Sequence, residues 1–273
     1  MESQRQEKAL NFQNVSKKMA LLEDKKALIF GIANNRSIAY GIAKKLQSEG
    51  SAIGIAYGAD NLKKRIDPIA QELDAEFSIK CDVTNEDEID KTFSIVEEKF
   101  DNIDILVHSI AFAPESDLKC PVIDVSKEGF NTALTVSAYS LIALSRRAYK
   151  LMKKGGSIIT MTYFGSTKVI INYNLMGIAK AALEASVRYL AFDLGNKNIR
   201  VNAISAGPIR TLASSGVKGF KELFSKFAER VPLKNEITKE DVGDVALFLA
   251  SNLSKKITGE IIFVDGGYNI IGY

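Results

Sequence analysis

From residue 20 onward the chain repeats one alternation: a short run of β-branched and apolar residues, then a stretch whose apolar residues recur with helical period. This order narrows the possible folds more than any other feature. Parallel strands need crossovers, and strand-helix repetition is the pattern of a parallel sheet covered by helices on both faces. Strands are predicted at Lys26–Gly31, Ala52–Tyr57, Glu76–Cys81, Ile103–His108, Gly156–Met161, Ile199–Ile204 and Glu260–Val264. Helices are predicted at Ile38–Glu49, Asn61–Leu73, Glu86–Lys99, Lys127–Met152, Tyr173–Leu194 and Lys239–Ala250. Thr84 with Asp87, and Thr238 with Asp241, match an N-cap followed by an acid at the third helical position, and Gly195 is placed as a left-handed helix terminator. No repeat or linker interrupts residues 20–273, so the expectation is one α/β domain: a doubly wound parallel seven-stranded sheet. The connection 211–233 is long, and a helical lid is predicted there.

Several function classes drop out on composition. One histidine, His108, and two cysteines, Cys81 and Cys120, cannot supply a three-His or four-Cys metal centre, so no metal site is expected. The 36 basic and 33 acidic residues leave a net charge of +3, not the one-sided basic surface that nucleic-acid binding demands. Apolar runs such as 27–33 fall far short of the roughly 20 residues of a membrane span. Two separated cysteines without a secretory signal fit a reducing compartment, and the cytoplasm is expected. Residues 1–18 read as a flexible tail, with Met19 as a candidate natural start.

Candidate binding positions cluster after the predicted strands. Gly31 opens a turn that leads directly into a helix through Ser37 and Ile38, where a dinucleotide pyrophosphate would meet free N–H groups and the positive end of the helix dipole. The G-x-G-x-x-G spacing is absent, and a plain strand-to-helix turn capped by Ser37 is the alternative. Gly58 follows strand two, where an acid commonly holds the adenosine ribose, while Lys63, Lys64 and Arg65 read as a solvated helix face. Asp82 and Val83 are placed to hold an adenine, or else form a helix-capping loop. His108 reads as a packed strand-end residue, and the small residues after it leave room for a nicotinamide ribose. Gly207-Pro208 forces a turn that would carry the Ile209 backbone past a nicotinamide carboxamide.

The most informative pair is Tyr173 and Lys180. Seven residues at about 100° each make nearly two helical turns, so both side chains share a face. There the ammonium can hold a ribose and favour proton loss from the phenol, while the phenol can donate to an oxygen gaining charge. Tyr163, at the end of strand five, can face the same space. An isolated pair of this kind would more simply be a packed Tyr and a snorkelling Lys.

Together the segments SIAYGIA, HSIAFAP, YNLMGIAKAALEA and NAISAGPIRTLA resemble the short-chain dehydrogenase/reductase superfamily, and more closely its divergent bacterial branch of NADH-dependent enoyl-(acyl-carrier-protein) reductases. In most of the superfamily the catalytic Tyr stands four residues before the Lys, where this chain has Met176, and a Ser stands where it has Tyr163. The Tyr-x6-Lys spacing with a second Tyr is the mark of the enoyl reductase branch. The resemblance implies a Rossmann-like fold and reduction of the C2=C3 bond of a trans-2-enoyl thioester on acyl carrier protein by NADH, rather than NADPH. It implies Tyr163, Tyr173 and Lys180 as catalytic residues, with Ala113, Tyr163 and Tyr173 against substrate. Contacts to NAD are implied for Gly31, Ser37, Ile38, Gly58, Asp82, Val83, Ile110, Lys180, Ile209, Arg210, Thr211, Leu212 and Ala213. Lys218 and Lys221, with Arg210, are candidates for meeting the acidic carrier protein, with a solvated helix face as the alternative, and a homotetramer is implied. Rival readings are a 3-oxoacyl or other carbonyl reductase, which a phenol displaced by about 4.5 Å along the helix disfavours, and a non-catalytic nucleotide-binding regulator.

Overall fold

The computed structural model describes residues 20–211 and 220–272. Seven strands form one sheet: β1 (Lys26–Phe30), β2 (Ala52–Tyr57), β3 (Phe77–Lys80), β4 (Ile105–His108), β5 (Gly156–Thr162), β6 (Ile199–Ala206) and β7 (Ile261–Val264). Every pairing is parallel, and the spatial order is β3-β2-β1-β4-β5-β6-β7. The central runs are apolar throughout because both faces are covered. On one face lie α3 (Glu86–Phe100), α6 (Ser140–Leu151) and α7 (Asn174–Gly195), which bury Phe93, Leu144 and Val187 against Leu28, Leu106 and Val201. On the other lie α1 (Ile38–Ser48), α2 (Lys63–Glu72) and α9 (Lys239–Ala250), which bury Ile42, Ile66 and Val242 against Ile29, Ile55 and Val107. Each such aliphatic side chain contributes about 1.5–3 kcal/mol by leaving water. The shorter α4 (Glu115–Lys119) and α5 (Lys127–Leu134) follow β4, and α8 (Phe220–Arg230) precedes α9.

Four local features differ from the sequence expectation. The cap of α3 is Asn85, whose side chain accepts from the Asp87 and Glu88 N–H groups; the Thr84 hydroxyl instead donates to Asp82. The predicted helix 127–152 is divided by a π-helical segment, Thr135–Tyr139, where Ser140 Oγ donates to the Val136 carbonyl and Ser137 exchanges hydrogen bonds with the Phe112 backbone. Residues 60–62 form a 3-10 turn ahead of α2. Gly195 lies within α7, and the left-handed residue beyond it is Asn198, at φ +57°. The Thr238–Asp241 capping box forms as expected. Of the predicted lid, 212–219 lie outside the described residues, as do 1–19. No helix among the described residues is long and apolar enough to cross a membrane.

Candidate active site

Strands β1 and β4 are neighbours in the sheet but lead to helices on opposite faces, so a crevice opens at their carboxyl ends, where open α/β sheets bind ligands. Gly31 makes the crevice possible. Its φ is +104°, and a Cβ there would sit 2.0 Å from the Ser109 carbonyl oxygen, so only glycine allows the two loops to touch. Ser37 stands at the N-cap of α1, yet its Oγ accepts from the Ala33 and Asn34 N–H groups at 3.0 and 3.2 Å and makes no cap bond. The first turn of α1, beginning at Ile38, thus has no side-chain cap and no acid. This donor set suits a pyrophosphate.

The other cofactor candidates flank this edge. Gly58 has open space where a side chain would stand. Asp82 Oδ1 accepts from both the N–H and the hydroxyl of Thr84, so it also builds the loop before α3. Val83 is buried in the core and Ile110 packs against it. Ile209 and Arg210 line a cleft of about 180 Å³ shared with Arg36, Phe224, Ile237 and Lys239, which joins the turn before α1 to the end of β6. The Arg210 guanidinium lies 4.4 Å from the centre of the Phe224 ring and 3.7 Å from Glu236. Thr211 is half-buried; Leu212, Ala213 and Lys218 lie outside the described residues, as does the side chain of Lys221.

Three side chains converge at the end of β5. Tyr163 follows its last residue, and its ring meets that of Tyr173 edge-on, with centroids 4.9 Å apart. Tyr173 immediately precedes α7, and two turns on Lys180 reaches back, its Nζ donating to the Met161 carbonyl at 2.7 Å. Ala113 is buried in a small cluster with Met176 against which Tyr173 packs. Burial pushes Lys180 down to about 8, opposed by the Glu184 carboxylate. Both phenols are held well above the usual tyrosine range, first by burial, then for Tyr173 by Tyr163 and Glu184. At neutral pH each phenol is therefore a hydrogen-bond donor, as expected of a group that meets an oxygen gaining charge. His108 has no exposed surface and is held between Thr160 and Ser140, as a packed residue.

A profile described as enoyl-(acyl carrier protein) reductase matches residues 31–269. The chain belongs to this family. It is 52% identical over 252 residues to the enoyl-(acyl-carrier-protein) reductase (NADH) FabI of Rickettsia prowazekii, covering 92% of this chain and 97% of that protein. The crystal structure of the enoyl-(acyl-carrier-protein) reductase (NADH) of Aquifex aeolicus VF5 superposes with a TM-score of 0.90 at 48% identity, over 93% of this chain and all of that one. That of the Anaplasma phagocytophilum reductase, in complex with NAD, superposes with a TM-score of 0.89 at 43% identity, over 93% and 97%.

Other residues that shape this candidate site were given no role in the sequence reading. Gly165 and Gly177 let the turn after β5 lie on the start of α7: a Cβ at Gly165 would stand 2.5 Å from the Tyr173 ring, and one at Gly177 would stand 2.7 Å from the Gly165 carbonyl oxygen. Glu184, one turn beyond Lys180, is buried and accepts from Thr162. Its signal was a carboxylate inside an otherwise apolar helix stretch, four residues after a candidate catalytic Lys.

Proposed function

We propose that this chain reduces the C2=C3 double bond of a trans-2-enoyl thioester carried on acyl carrier protein, the last reductive step of fatty acid elongation, with NADH as the reductant. One observation carries the reading: Tyr173 stands seven residues before Lys180 and against Tyr163, in a chain half identical to relatives named for that reaction. Bound NADH would supply the hydride to the β carbon of the enoyl group, and the enolate that results takes a proton at the α carbon to complete the reduction. Tyr173, kept protonated by burial, donates to the thioester oxygen as it gains enolate charge, as preorganised donors do for developing oxyanions. Lys180, anchored on Met161, directs its remaining protons to the nicotinamide ribose. Tyr163 and Ala113 line the acyl side. Gly31, Ser37 and Ile38 hold the pyrophosphate, Gly58, Asp82 and Val83 the adenosine end, and Ile110 and Ile209 to Ala213 the nicotinamide end. The segment 211–233 acts as the substrate lid, and Arg210, Lys218 and Lys221 meet the acidic carrier protein. The working form is a homotetramer in the cytoplasm, where Cys81 and Cys120 stay reduced.

The test follows NADH absorbance with crotonyl and acetoacetyl thioesters offered in parallel. Turnover of the crotonyl substrate alone is expected. Tyr173→Phe should lower turnover about 100-fold or more with NADH affinity retained, by loss of one oxyanion donor. Lys180→Ala should weaken NADH binding about tenfold or more, by loss of charge-assisted hydrogen bonds. Preference for the acetoacetyl thioester would instead make the protein a carbonyl reductase, and tight NADH binding with neither substrate consumed would make it a regulator.

A further inference from the structure

Two side chains one turn apart on α7 reach successive residues of β5. Lys180, 5% exposed, donates to the Met161 carbonyl at 2.7 Å; Glu184, 7% exposed, accepts at Oε1 from Thr162 Oγ1 at 2.6 Å. The next residue of the chain is Tyr163. The reaction described above makes no use of Glu184. A carboxylate in a helix-sheet seam is costly unless it meets donors or an opposite charge, and Thr162 supplies one neutral donor. Lys180 carries the complementary problem, since burial disfavours its charged form.

Each is the other's remedy. Among the groups on elements packed around Lys180, His108 on β4 is neutral and held by Thr160 and Ser140, while Tyr163 and Tyr173 are kept protonated. Asp265 and Tyr268, beyond β7, act on Tyr163. Arg147 of α6 is paired with Glu86 and Asp90, Arg200 of β6 with Ser254, and Asp117 of α4 with Ser126. That leaves Glu184 as the carboxylate acting on Lys180. We propose that Glu184 is a positioning residue: it is the buried counter-charge of the Lys180 ammonium and, through Thr162, holds the strand end from which Tyr163 projects. The inference rests on reading Lys180 as the lysine that holds the cofactor.

The test is the NADH dissociation constant, measured by isothermal titration calorimetry on the full chain between pH 6 and 9.5, with circular dichroism to confirm folding. The wild type should lose affinity as pH rises through about 8, where Lys180 gives up its proton. In Glu184→Gln that loss should begin about one pH unit lower, so that the dissociation constant rises about threefold at pH 7.5 and approaches a rise of about tenfold near pH 9, but stays within about twofold at pH 6. A rise of equal size at every pH, or no change, overturns the proposal. Should Glu184→Gln fail to fold, Thr162→Val decides: a smaller shift in the same direction supports the tether, and an unchanged profile sinks it. Lys180→Ala separates the two readings. If it binds NADH like the wild type, the cofactor role of Lys180 is wrong and this inference falls with it; if it binds weakly while Glu184→Gln shows no shift, only the role of Glu184 is wrong.

Discussion

His108 shows what burial does to one titratable side chain. Nδ1 lies 2.8 Å from Thr160 Oγ1 and Nε2 2.8 Å from Ser140 Oγ, while those hydroxyls also lie within hydrogen-bond reach of the His108 and Val136 carbonyls. A neutral imidazole has one donor and one acceptor, so one hydroxyl must turn its proton to the ring. Burial, and then the nearby Lys180 charge, push the imidazole down to about 3. Below about pH 6.5 the unfolded chain therefore binds a proton that the folded chain refuses, and stability present above that pH is lost as pH falls toward 3. Between pH 6.5 and 5 this group alone should remove about 2 kcal/mol. Urea unfolding at pH 7 and 5 checks it: the wild type should lose that much more stability than His108→Gln, and equal losses would refute the account.

At the scale of elements, the site depends on how closely α7 approaches the turn Phe164–Ser166 that follows β5. The contact is backbone to backbone. A methyl group at residue 177 would lie 2.7 Å from the Gly165 carbonyl oxygen, and no side chain there can swing aside to relieve it. Gly177→Ala should therefore push the turn away from the helix and separate the Tyr163 and Tyr173 rings. Because misplacement by about 1 Å can cost up to about 100-fold, turnover of the crotonyl thioester should fall at least about tenfold, while NADH affinity stays within about threefold. Steady-state kinetics beside NADH calorimetry measure both, and unchanged turnover would mean that this contact does not position the phenols.

The molecule as a whole leaves apolar side chains uncovered at several places among the described residues, one face of α7 and the carboxyl end among them. On α7, Ile178, Tyr189 and Phe192 fall on one face at helical spacing, and Tyr189 and Phe192 are 75% and 86% exposed. Near the carboxyl end, Leu253, Phe263 and Ile270 are also exposed. The proposed homotetramer would cover these two regions in two different isologous contacts, if its symmetry is dihedral. Light scattering behind size exclusion should give the mass of four 29.9 kDa chains. Phe192→Glu, which would put a charge into one of those contacts, should give half that mass; an unchanged mass would remove the α7 face from the assembly.

Periodicity in the chain was enough to place all seven strands to within about two residues, because apolar alternation is a local property that each segment expresses in its own composition. The common face of Tyr173 and Lys180 was legible for the same reason: helix geometry alone sets it. Caps were half legible. Thr238 and Asp241 close a capping box as their spacing implies, whereas Asn85 displaced Thr84 at α3 because the Thr84 hydroxyl turns to Asp82. Which residues meet across the sheet was not legible. The order β3-β2-β1-β4-β5-β6-β7 brings Gly31 against Ser109 and aligns the ends of β5 and β6 on one edge, through pairings between segments distant along the chain. The tether from Lys180 to Met161, the burial of Glu184 beside it, and the direction in which the phenols are shifted all arise from that packing. Depth in a core, and the charge a buried group will carry, depend on neighbours that folding brings together and that no local pattern encodes.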